Sequence, residues 1–191
     1  MTTASYAAEP DPTRATRRPI CTCSYAADQT WSIPWAMSVI HPQDAGRNPT
    51  NYTADYCKLE LGATRKEFGV RAGVEVLGGD ATRTEHRFQT PLATLHAFQG
   101  WADKFLTTPP QGVQDFYVDL SGHRWGLDAT VVWHDFRADA ISQRYGDEWD
   151  SSVIRKFSRH FKLLLKAANY RSAGLGRDTR KLWVQFSADH P

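Results

Sequence analysis

The sequence predicts an all-β fold of antiparallel, up-and-down strands. Three observations predict it. Short runs of alternating apolar and polar residues recur from Trp31 onward. The connections between these runs alternate between short and long. The aromatic residues of the apolar parity stand at the ends of the runs, at two levels.

In chain order, eight strands are expected at 31–39, 51–62, 67–77, 113–121, 125–136, 147–157, 161–170 and 179–187. Each is close to the 9–11 residues that a tilted strand needs to cross a bilayer. Pro34 interrupts the first, which suits an edge strand better than an interior one. The connections at 62–67, 121–125 and 157–161 are short. Those at 40–50, 78–112, 137–146 and 171–178 are long and rich in Gly, Asp and Pro. Short turns at one end and long loops at the other are the arrangement of outer-membrane barrels.

The 78–112 connection is the longest, and compact domains rarely leave one this long without a purpose. Within it, Leu92, Leu95, Phe98, Ala102 and Phe105 recur at helical spacing. A long loop with a short helical turn is expected, pinned by the Gly78-Gly79-Asp80 turn.

Each strand sorts its charge to one parity. In 67–77 one side is Phe68, Val70, Ala72, Val74 and Val76, and the other carries Arg71 and Glu75. In 161–170, Phe161, Leu163 and Leu165 oppose Lys162 and Lys166. On the apolar parity, Phe68, Trp125, Phe157, Phe161 and Phe186 fall at the short-turn end, and Phe116, Trp133 and Trp149 at the long-loop end. Trp125 and Trp133, eight residues apart, would stand roughly 20 Å apart along a tilted barrel, near the apolar height between aromatic girdles. Arg155 falls on the apolar parity, near the short-turn end where a lipid-facing Arg costs about 0–1 kcal/mol.

Composition excludes several classes. Lys+Arg 23 against Asp+Glu 21 leaves no basic face for nucleic acid. Cys21, Cys23 and Cys57 form no disulfide framework, and a lone Cys-x-Cys is at best half a metal site, so no metal or cofactor is expected. No apolar run is long enough for a membrane helix. Residues 1–29, with Pro10, Pro12, Arg14, Arg17, Arg18 and Pro19, read as a disordered leader without a signal-peptide core. Residues 30–191 read as one β domain.

The segments NPTNYTADYCKLELG, VEVLGGD, FQTPLATLHAFQGWADKF, VVWHDFRAD, YGDEWDSSVIRKFSRHF and DTRKLWVQF together resemble the alginate-export family of outer-membrane porins. The likeness runs from about Asn48 to Phe186 and is most specific at FQTPLATLHAFQGWADKF. It implies the C-terminal part of a large single-chain barrel, here a partial barrel of 7–8 strands. It further implies an outer-membrane location, passive or facilitated transport without catalysis, and partners in the lipid bilayer, the barrel-assembly machinery and an anionic polysaccharide such as alginate. Such barrels usually end on an aromatic residue, and here Phe186 is followed by Ser187 to Pro191.

On that reading the polar parity lines an aqueous lumen. The candidate path residues are Lys58, Arg71, Lys156, Lys162, Lys166, Lys181, Asp128 and Glu75. Mixed charge keeps a pore wet, and the cations would pass a polyanion. The long loop is expected to fold inward as a constriction, with His96, Gln99, Asp103 and Lys104 toward the water path. No enzyme site is expected. His134 and Asp135, adjacent on a strand, point to opposite faces and make no dyad. No phosphate-loop pattern follows Gly78-Gly79-Asp80. The alternative is a soluble eight-stranded, lipocalin-like ligand-binding barrel. The two differ in which face holds the lysines.

Overall fold

The computed structural model describes residues 21–28, 31–40, 55–84, 86–89, 99–158 and 160–188, the first two segments through their backbone alone. The fold is all-β. One nine-stranded sheet runs in chain order: β1 (Cys21–Asp28), β2 (Trp31–Ile40), β3 (Tyr56–Arg65), β4 (Phe68–Leu77), β5 (Val113–Arg124), β6 (Leu127–Arg137), β7 (Arg144–Lys156), β8 (Phe161–Ser172) and β9 (Thr179–Ala188). Every neighbouring pair is antiparallel. Seven strands, β3 to β9, are described with their side chains. Among the described residues no ladder joins β1 to β9, so the sheet is open.

Two expectations about the start of the chain change. β1 falls inside the stretch read as a disordered leader: the Pro- and Arg-rich residues end at Pro19, and the Cys-Thr-Cys-Ser-Tyr run after them pairs with β2. Residues 1–20 lie outside the described residues. That pairing makes β2 an interior strand, so Pro34 is not on an edge. The β2–β3 ladder instead skips Ile33 and Pro34, resuming at Trp35↔Leu61. Proline has no N–H to give to a ladder.

The hairpins explain the alternation of loop lengths. Two residues, Lys66 and Glu67, join β3 to β4, and two more, Trp125 and Gly126, join β5 to β6. Trp125 belongs to this turn rather than to the strand expected from 125. Both residues have positive φ, 53° and 72°, the pairing of a type I′ turn, whose twist matches the strands it links. The long connections gather at the opposite end.

The two faces differ in composition and exposure. The uncovered face is apolar: Leu61, Val70, Leu120, Val131, Val153, Leu165 and Val184 are all exposed. The other face carries the charge and is buried toward the long loops, at Glu75, Asp115, Asp119, His134, Glu148 and Asp150, while Arg71, Lys156 and Lys162 nearer the short turns are exposed. The register puts like with like. Val70 pairs with Leu120 and Leu120 with Val131, while Arg71 pairs with Asp119 and His134 with Glu148. The aromatic levels are also present. Phe68, Trp125, Phe157, Phe161 and Phe186 are exposed at the short-turn end, and Phe116 and Trp149 at the long-loop end.

The buried apolar cluster lies on the charged face near the long loops. Leu77, Val113, Phe136, Tyr145 and Tyr170 form it together with Ala102 and Phe105 from the 78–112 connection. The base of that connection is closed tightly. Gly78 N–H donates to Asp55 and Asp80 N–H to Pro110. A Cβ at Gly79 would stand 1.9 Å from the Gly112 nitrogen, so only glycine lets the two ends of the loop touch.

Candidate functional site: the polar face and its inserted loop

The candidate site is the covered face of β3 to β9 and the segment 99–112 that lies against it. Strand alternation places every expected path residue on this one face, because Lys58, Arg71, Glu75, Asp128, Lys156, Lys162, Lys166 and Lys181 share its parity through the ladders. They form separate groups rather than one row.

The first group spans β3 to β5. Arg71 ion-pairs with Asp119 and lies 3.7 Å from Glu60. Lys58 sits 3.8 Å from Glu60, and its ammonium lies 5.6 Å from the Tyr117 ring centre. Tyr117 donates to Glu60, and Tyr56 donates to Glu75 at 2.7 Å. Glu75 is buried, deeper than a residue that simply lines water. The second group is central. His134 Nδ1 lies 2.9 Å from Asp115, its Nε2 lies 3.7 Å from Asp150, and its ring stacks on Phe136 at 5.3 Å. Asp135 points the other way, to Arg137 and Arg144, as strand alternation requires. The third group is cationic. Lys166 lies over Trp101 at 4.0 Å and Trp183 at 5.3 Å. Lys181 bonds Asp103 at 2.5 Å. Near the short turns, Asp128 meets His123 at 2.5 Å, and exposed Lys156 and Lys162 face each other across β7 and β8.

The inserted segment is held by carboxylates. Ala102 N–H donates to Glu148 Oε1 at 2.6 Å, and Trp101 N–H to Asp150 Oδ2 at 3.0 Å. A Cβ at Gly100 would stand 2.7 Å from Glu148 Oε2. Both acids are fully buried. A buried carboxylate needs such donors, and a buried N–H needs such an acceptor. Phe105 then packs on Phe136 at 4.5 Å and on Tyr145 at 6.0 Å. Lys104 lies over the Tyr170 ring at 5.2 Å.

Parts of the loop expectation need correction. The described residues 99–112 form bends and turns, not a helical turn. Gln99 and Asp103 have positive φ, 50° and 60°, and Gly100 has 81°, which no right-handed helix accepts. Leu92, Leu95, His96 and Phe98 lie outside the described residues. Ala102 and Phe105 do pack inward. Gln99, expected to face water, is buried, Asp103 is held by Lys181, and Lys104 covers Tyr170. On the far side of the loop, hydrogen bonds from the Thr82 N–H, Thr82 hydroxyl and Arg83 N–H hold the exposed Asp80 carboxyl below the usual carboxylate range.

The sequence reading left Asp115, Tyr117 and Glu148 out of the site. A signal was available. Asp115, Tyr117 and Asp119, then Glu148 and Asp150, repeat at two-residue spacing on the charged parity. Among the described residues no group of His, Cys, Asp and Glu is arranged to hold a metal ion. Cys57 is a free, half-buried thiol.

No family model, curated protein or solved structure matches this chain.

Proposed function

We propose that this chain is the C-terminal part of a porin-like outer-membrane barrel, related to the alginate-export porins, that passes solutes without catalysis. One observation carries the reading: the uncovered face of seven strands is largely apolar with aromatics at both margins, and the charge is gathered on the other face, buried toward the long loops. A water-soluble barrel of lipocalin type needs the reverse. A lipid-facing barrel needs this arrangement, with polar residues toward the lumen. The open ladder supports a partial barrel whose free edges pair with further strands. The mixed charges of the covered face then line the lumen, where Lys166 and Lys181 suit an acidic sugar polymer. The barrel-assembly machinery is the partner that would fold such a sheet into the outer membrane.

The segment 99–112, lying against the charged face, is the constriction of that lumen. The purified 191-residue chain is expected to need detergent and to give no stable conductance in planar bilayers, because an open sheet encloses no path. In a barrel completed by further strands, deleting Thr90 to Trp101 should raise single-channel conductance and weaken discrimination between solutes. Unchanged conductance in a folded barrel would leave the stretch as an external lid. Reproducible channel steps from the present chain would contradict the partial-barrel reading.

A further inference from the structure

The uncovered face is not uniformly apolar. At its long-loop margin, across β6 to β9, it carries four arginines: Arg137, Arg144, Arg171 and Arg180. Their placement follows from the register. One row runs Phe116, Asp135, Asp147, Arg171, and the next runs Trp133, Trp149, Asn169, Arg180. Arg137 and Arg144 pair with each other one position further out. The patch therefore sits at the aromatic level and just beyond it.

Two aspartates organise the patch. Arg137 Nε bonds Asp135 at 2.7 Å, and Arg144 bonds Asp135 at 2.6 Å and Asp147 at 3.1 Å. The Arg137 guanidinium also lies 5.8 Å from the Phe116 ring centre. Arg180 Nε donates to Asn169 at 3.3 Å. The side chains of Arg137 and Arg144 stay 58% and 47% exposed, and Arg171 and Arg180 are exposed too. A guanidinium has five N–H donors, so each keeps donors free of these bonds. Two further acids at this end are engaged elsewhere: Asp139 is turned to the Gln114 amide and the Gly79 N–H on the loop side, and Asp178 accepts the Ser172 N–H at 2.8 Å.

Resting on the membrane reading, we infer that this patch binds the phosphate groups of anionic lipid headgroups. Arg matches phosphate through paired N–H donors. Aromatic belts lie at headgroup depth, which puts phosphates level with these side chains. The apolar face continues directly below, at Val118, Val131 and Leu182, and gives the acyl chains of the same lipid a surface. A free phosphate ion gains nothing from that surface, which selects the lipid as its source.

The test uses the full chain in lipid vesicles, with Cys21, Cys23 and Cys57 changed to Ser and a fluorophore on Ser142→Cys, in the loop between Arg137 and Arg144. Nitroxide-labelled phosphatidylglycerol should quench this label at a mole fraction about fivefold lower than nitroxide-labelled phosphatidylcholine does. Changing all four arginines to Gln should make the two lipids equal. A second label, on Leu165→Cys, reports embedding through quenching by an acyl-chain nitroxide, and should respond alike with and without the arginines. If Leu165→Cys is not quenched, the membrane reading fails and this inference with it. If it is quenched but the two headgroups act equally on Ser142→Cys, the patch assignment alone is overturned. A preference that survives the four substitutions overturns it as well. Loss of the preference in millimolar inorganic phosphate would make the patch a free-anion site and overturn the lipid assignment.

Discussion

Leu165→Arg is expected to destabilise the folded sheet in a bilayer by about 2–4 kcal/mol, the cost of a cation at mid-depth on a lipid-facing strand. Leu165 is on the uncovered face, 42% exposed, between Val153 of β7 and Val184 of β9. It stands midway between Phe161 at one aromatic margin and the Arg180 level at the other. In water, an exposed Leu exchanged for Arg usually changes stability by less than about 0.5 kcal/mol. The two readings of the face therefore differ severalfold for one substitution. A denaturant midpoint in lipid vesicles measures it. The same change at Arg155's level, near the short turns, should cost little, as the native Arg155 there indicates, with its guanidinium 5.3 Å from the Phe157 ring centre.

Glu148→Ala is expected to release the inserted loop, while Glu148→Gln keeps it. Glu148 accepts the Ala102 N–H at 2.6 Å and is wholly buried. Alanine leaves that N–H without an acceptor, at about 1–3 kcal/mol, and opens a void beside Gly100. Glutamine retains a carbonyl for the same bond. Hydrogen exchange at Trp101 and Ala102 checks it: protection should fall in the alanine variant and stay near native in the glutamine one. Equal protection in all three proteins would mean that Asp150, Lys181 and the packing of Phe105 hold the loop without Glu148.

Most of the sheet was legible because strand parity carries two signals at once. Val70, Leu120 and Val131 alternate with Arg71, Asp119 and Asp128 within single strands, so period and face could be read together. The eight strands expected from Trp31 onward correspond to β2 through β9, with ends shifted by a few residues. β1 was missed because its Cys-Thr-Cys-Ser run is short and follows a Pro- and Arg-rich stretch that dominates the local composition. Trp125 was placed in a strand because its turn uses a bulky residue at positive φ, where Gly or Asn is usual.

The site was harder to read. Parity could assign Lys166 and Lys181 to the polar face, but their partners Trp101 and Asp103 come from a loop more than sixty residues away. From residue 99 onward the helical spacing does not correspond to a helix. Ala102 and Phe105 are buried for contact with Phe136 and Tyr170, through a path of turns set by Gln99, Gly100 and Asp103. Glu148 stands out in no local pattern, because nothing nearby in the chain shows that its acceptor oxygens face a loop backbone.

On the proposed function the apolar face meets lipid. Spin labels placed one at a time from Asp128 to Trp133 on β6, in lipid vesicles, test it most directly through their accessibility to oxygen, which concentrates in the bilayer, and to a water-soluble nickel complex. High oxygen accessibility and low nickel accessibility are expected at Ala129, Val131 and Trp133, with loss of that oxygen signal at Asp128, Thr130 and Val132. Nickel reaching Ala129, Val131 and Trp133 as freely as it reaches an exposed loop would place that face in water and rule out contact with lipid.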